Sequence, residues 1–148
     1  MDQPTHHEAL RRLEPLVGRW TFEASFPGED RWPGGGTMSV EWHPSDAHLV
    51  QVGTVELPEA PANVSVIGCD GETGRYVQLY SDERGVSRVY EMSFDDGEWR
   101  LWRTGQPFDQ RFIGVFSEDG DTISARWERS EDGEFVTDFD LVHTRVRD

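Results

Sequence analysis

From Gly18 onward, apolar and polar residues alternate one for one. Trp20, Phe22, Ala24 and Phe26 fall between Arg19, Thr21, Glu23 and Ser25, the period of a strand with one buried and one wet face. The pattern recurs at about 37–43, 48–56, 63–69, 75–81, 86–94, 98–104, 108–117, 121–129 and 135–146. Turn signals separate these stretches, among them Asp70-Gly71, Asp96-Gly97, Asp119-Gly120 and Asp132-Gly133, and Asp-Gly favours tight hairpins because both residues tolerate positive φ. Ten strands joined by short connections predict an antiparallel up-and-down meander. Closing it into a barrel removes both open edges at once.

Before the first strand the pattern differs. Thr5, His6, His7 and Glu8 fit a capping box, and Leu10, Leu13 and Val17 share one side of a helix. A short helix over about 6–16 is predicted, ending before Gly18. The expected fold is therefore all-β, a barrel of about ten strands with a short N-terminal helix. With 148 residues, one domain over 1–148 is expected.

Charge narrows the partners. A net charge of −15 repels phosphate backbones and anionic lipid, so neither nucleic acid nor a membrane is an expected partner. All 14 basic residues are arginine. With no lysine, Schiff-base chemistry and a P-loop are excluded, and Gly34-Gly35-Gly36 lacks the phosphate-loop spacing. Cys69 is the single cysteine, which rules out a disulfide within the chain and any multi-cysteine metal site. No metal site is expected, and His43 and His48 would need a third ligand that their spacing does not supply. The residues from Met1 to Leu16 contain no apolar export core, and no apolar run approaches the ~18 residues of a membrane span. A cytoplasmic location is the expectation.

Ten strands enclose more space than side chains alone fill, so the interior is a candidate ligand cavity. Taking Trp20 and Arg145 as inward anchors, alternation also points Met38, Val40, Trp42, Tyr76, Gln78 and Tyr80 inward. Further round the barrel it adds Arg88, Tyr90, Met92, Trp99, Leu101, Gln110 and Phe112, then Ile123, Ala125, Trp127, Phe139, Leu141 and His143. The candidate ligand-binding residues are Trp42, Tyr76, Tyr80, Arg88, Tyr90, Trp99, Gln110, Trp127 and His143. This wall, mostly aromatic with a few polar groups, suits a small hydrophobic or amphipathic organic molecule. An interior guanidinium at Arg88 could orient an anionic ligand, be held by an internal salt bridge, or snorkel out at the barrel mouth. His143 could act as an acid–base group, ligate haem iron or serve as a hydrogen-bonded core histidine. Asp138 and Asp140 alternate away from His143 and are expected to face solvent. The longer loops at 27–36 and 57–62 are either surface loops or lids.

Gly18-Arg19-Trp20 after a short helix resembles the G-x-W signature of lipocalins and their calycin relatives. In those barrels a terminal-strand arginine stacks on the tryptophan, a role that falls here to Arg145. Gln110-Arg111-Phe112, Gly114, Phe116, Asp119-Gly120, Arg126-Trp127-Glu128 and Asp138-Phe139-Asp140-Leu141 resemble the C-terminal half of the DUF1579-type bacterial lipocalin-like proteins, a family with no established common activity. His143 stands where that family more typically has tyrosine. A more distant resemblance is to nitrobindins, ten-stranded barrels that bind haem through a C-terminal histidine and are associated with peroxynitrite isomerisation. That resemblance implies haem at His143 as an alternative to no cofactor at all.

Three functions stay open on these grounds. The first is binding of a small molecule inside a lipocalin-like barrel. The second is an enzyme, either a haem-dependent isomerase using His143 or a cofactor-free cyclase or isomerase using cavity shape with Arg88 or a tyrosine. The third is an interaction module with a filled barrel, working as a homodimer or on a partner through outward residues such as Val77, Leu79, Ile113 and Val115.

Overall fold

The computed structural model describes residues 6–32, 34–55, 61–105 and 108–147. Ten antiparallel strands close into a barrel in which each strand pairs with its sequence neighbours and the last with the first. They are β1 (Gly18–Ser25), β2 (Gly36–Trp42), β3 (Leu49–Val55), β4 (Asn63–Cys69), β5 (Tyr76–Asp82), β6 (Ser87–Asp95), β7 (Glu98–Arg103), β8 (Gln110–Phe116), β9 (Thr122–Glu131) and β10 (Glu134–Arg145). Alternating strand patterns thus become one continuous wall, and the up-and-down topology is as expected.

The turns divide the Asp-Gly pairs into two kinds. Asp96 and Gly97 both have positive φ, as do Asp132 and Gly133, the type I′ geometry that matches strand twist. At Asp119-Gly120 only the glycine is positive, and in the longer 70–75 turn the left-handed position is Gly74 rather than Gly71.

The predicted single helix is two pieces, α1 (His6–Arg11) and a 3-10 turn (Glu14–Leu16). Pro15 explains the break: it has no amide to donate, and it disfavours helical backbone at the residue before it. The Thr5 half of the proposed capping box lies outside the described residues, as do the side chains of His6 and His7 and residues 57–60 of the second loop. Leu10, Leu13 and Leu16 are fully buried with Trp20, Val40, Leu49, Ile67 and Ile123. The helical segment therefore stoppers the barrel end where β1 begins and β10 finishes. Three aromatic side chains fasten it: Trp20 donates its indole N–H to Leu16 O at 3.0 Å, Trp42 to Glu14 Oε2 at 3.0 Å, and the Tyr76 hydroxyl to Ala9 O at 2.5 Å.

The G-x-W segment has a steric reason. Gly18 sits at φ +137°, and a Cβ there would stand 2.7 Å from Arg145 Nη1. Arg145 lies with its guanidinium carbon 4.2 Å from the Trp20 ring centroid, as the calycin resemblance implied. Its nitrogens donate to the carbonyls of Val17, Pro15 and Gly120. One side chain thus ties the helical segment, the start of β1 and the β8–β9 turn together.

Among the outward residues, Ile113 departs from expectation: it is only 9% exposed. Its cross-strand neighbours are Arg100 and Arg126, whose aliphatic stems can cover it while the charged heads stay wet. Leu79 and Val115 are exposed, yet β6 and β7 separate their strands. The four suspected residues therefore form no single patch.

Candidate functional site

Away from the stoppered end, the barrel encloses a cavity of about 560 Å³. Seven of the nine candidate ligand residues line it: Tyr80, Arg88, Tyr90, Trp99, Gln110, Trp127 and His143. Met38, Gln78, Leu101, Phe112, Phe139 and Leu141, which alternation also placed inside, are on the wall. Trp42 and Tyr76 are not. They point inward as parity requires, but they lie at the end filled by the helix, and their polar atoms are committed to Glu14 and Ala9. Val40, Met92, Ile123 and Ala125 are buried in the core without reaching the cavity, most of them at the same closed end.

The wall has an order from mouth to floor. Arg88 and Gln110 stand at the starts of β6 and β8, and Tyr80 near the end of β5, so they belong to the mouth. Arg88 Nη1 donates to Gln110 Oε1 at 2.6 Å, and the Tyr90 hydroxyl donates to the same oxygen at 3.1 Å. Burial raises the Tyr90 phenol above its usual range, against the lowering effect of Arg88. Tyr80 donates to Asp82 at 2.7 Å, and Arg84 grips the same Asp82 oxygen at 2.7 Å. Those bonds, Arg84 foremost, hold the Asp82 carboxyl well below the ordinary carboxylate range. Below the mouth comes an aromatic belt, with Phe112 and Trp127 at 5.3 Å between centroids, Tyr90 and Trp127 at 5.5 Å, and Trp99 and Phe112 at 4.8 Å.

His143 lies deeper, 5.3 Å from the Phe22 ring and 5% exposed. Desolvation pushes its pKa down to about 4, so the imidazole is neutral at pH 7. Its Nδ1 is buried without a hydrogen-bond partner.

Sequence alternation missed part of the wall. Trp32 comes from the 27–36 loop, where its backbone N–H bonds Ala24 O at 2.8 Å and its ring packs 5.3 Å from Phe139. Gly34 and Gly35 line the cavity beside it, so this loop supplies part of the wall. Asp138 was expected in solvent but lines the cavity. The register of β10 against β9 shifts between Thr137 and Phe139, and such a bulge gives Asp138 an orientation that strict alternation cannot predict.

Phe22 owes its place on the wall to Gly36, its cross-strand partner. A Cβ at Gly36 would lie 2.1 Å from Phe22 Cζ, so the ring rests directly on the glycine. Gly36→Ala is expected to drive the ring against His143 and to lower stability by ~1–3 kcal/mol, measured by urea unfolding. Phe22→Leu in the same chain should recover part of that loss; if it recovers none, the ring is not the obstacle.

Among the described residues, five buried side-chain polar atoms have no hydrogen-bond partner: Trp32 Nε1, Gln51 Oε1, Gln78 Oε1, Trp99 Nε1 and His143 Nδ1. All five residues line this cavity. Since an unsatisfied buried polar group costs ~1–3 kcal/mol, such groups are ordinarily rare and scattered. Their concentration round one space leaves donors and acceptors there open to water or to a ligand.

Among the described residues, no group of three or more His, Cys, Asp or Glu is arranged to hold a metal ion, and no helix is long and apolar enough to cross a membrane. No protein-family model matches the chain, and no curated protein matches it. Among solved structures, it is similar to Rv2717c from M. tuberculosis, with a TM-score of 0.63 and 15% identity over 94% of this chain and 98% of that one. A protein of unknown function from the DUF3598 family of Nostoc punctiforme PCC 73102 aligns over 99% of this chain and 100% of its own, at a TM-score of 0.27 and 9% identity. The likeness to Rv2717c shows the fold: this chain is a ten-stranded closed β-barrel of the same architecture.

Proposed function

We propose that the protein binds a small, largely aromatic or aliphatic molecule carrying a few hydrogen-bonding groups inside its barrel. The observation that carries this reading is the set of five unpartnered polar atoms on residues of one aromatic-lined cavity. Two indole N–H donors, two amide oxygens and a neutral imidazole are complementary to a ligand with both acceptors and donors. A pocket of about 560 Å³ is within the range of small-molecule sites. The aromatic belt supplies affinity through buried area, and the polar atoms supply orientation.

A second reading is haem, favoured by one observation: a neutral imidazole with an unpartnered nitrogen on the cavity wall. That donor fits iron, and the aromatic wall fits a macrocycle. A hydrogen bond from the other ring nitrogen to a carboxylate or carbonyl, which usually orients a ligating histidine, is not found for His143 among the described residues. We therefore place haem second to an organic ligand without metal.

Native mass spectrometry of protein purified from its own type of host, compared with the same sample denatured, tests the reading. A stoichiometric adduct lost on denaturation is the expected result. A bare chain that also fails to take up any aromatic probe would overturn it and favour a barrel that acts through its outer face. Haem added in parallel should give a Soret band abolished by His143→Ala if the second reading holds.

A further inference from the structure

We propose that the ligand is an organic anion, and that Arg88 at the cavity mouth receives its charged group. The inference rests on the binding role above and adds the ligand's chemical class. Arg88 is half-buried and lines the cavity. Its guanidinium donates to the neutral amide oxygen of Gln110, and no carboxylate of the described residues lies within ion-pair distance of it. Placing a guanidinium in a partly desolvated wall without a counter-charge is costly unless something negative completes the site. The remaining guanidinium donors form a fork suited to a carboxylate, sulfonate or phosphate.

The neighbouring groups sharpen this. Gln110 Oε1 takes bonds from both Arg88 and Tyr90, which fixes the guanidinium in place with a neutral acceptor. Arg84 also lines the mouth, but its charge is spent on Asp82, whose side chain is fully buried. Asp138, the carboxylate that lines the cavity, sits on β10, four strands round the barrel from β6. Overall charge cannot account for anion binding, since the chain carries −15 and repels anions at long range. Any preference for an anion must therefore arise locally.

Two fluorescent probes with the same skeleton provide the test: anilinonaphthalene sulfonate, which is anionic, and phenylnaphthylamine, which is neutral. The full chain is expected to bind the sulfonate ~10-fold or more tighter, the scale of one charge-assisted hydrogen-bonding contact. Arg88→Met should remove that advantage while leaving the neutral probe within ~2-fold, and Arg88→Lys should restore part of it. Arg100→Met, on the outer wall and paired with Glu98, should leave both affinities within ~2-fold. Near-UV circular dichroism of the aromatic belt confirms that each variant is folded. Equal binding of the two probes, or an Arg88→Met variant that keeps its anion preference, overturns the anion assignment and leaves the cavity-binding role standing. Binding of neither probe overturns both.

Discussion

Replacing Trp20 with alanine is expected to cost ~3–5 kcal/mol, the range for removing a fully buried aromatic side chain. Because domains of this size are stable by only ~5–15 kcal/mol, the variant should be close to unfolding at ordinary temperature. Trp20 is 0% exposed, and it meets Phe116 edge-on at 6.0 Å between centroids. It carries Arg145 on its face and holds Leu16 O through its indole N–H. The substitution therefore leaves a void, strands a carbonyl and frees the arginine that joins three segments. Urea unfolding measures the effect. Trp102 on the outer wall, 37% exposed, is the control, and Trp102→Ala should cost under ~1 kcal/mol. If the two losses are equal, Trp20 is not the keystone of the closed end.

The second large effect is a dependence of stability on pH set by His143. In the folded barrel its pKa is about 4, against 6.5 for a free imidazole. Between these values the unfolded chain binds a proton that the folded chain refuses, so stability falls as pH drops from 6.5 toward 4. Integrated over the window, the loss at pH 4 is on the order of 3 kcal/mol. His143→Phe keeps the ring volume and removes the titration. Carboxylates held low by their partners, such as Glu128 between Arg111 and Arg126, contribute to acid sensitivity in both chains and cancel in the comparison. The expected result is therefore a wild-type curve that drops more steeply than the variant's between pH 6.5 and 4. Parallel curves would mean that the folded state protonates His143 freely, and the imidazole would then be no neutral acceptor for a ligand at mildly acid pH.

Both predictions use residues that differ in how far the sequence alone could place them. Trp20 and Arg145 were legible from Gly18-Arg19-Trp20 and from the alternation in the last strand, because the contact joins the two ends of a meander that must meet if the barrel closes. His143 was legible as an inward residue by the same alternation. That it lacks a partner for Nδ1 was not, since this depends on Phe22 and on the neighbouring strands.

Period two reports which face of the wall a side chain occupies, and hairpin signals report how many strands there are. Together they determined the all-β class, the strand count, the closed meander and most of the inward-facing set. Alternation carries no information about depth along the barrel axis. Only the tertiary structure decided that Trp42 and Tyr76 serve the helical stopper while Tyr80, Arg88 and Gln110 ring the mouth. Alternation also fails where the chain leaves regular pairing, which is why the bulge bringing Asp138 inward and the loop bringing Trp32 onto the wall had no signal in the pattern. The sequence thus determined the wall, whose periodicity is local. Packing between residues far apart in the chain decided which end is sealed, which charges are already matched and which polar atoms are left unpartnered.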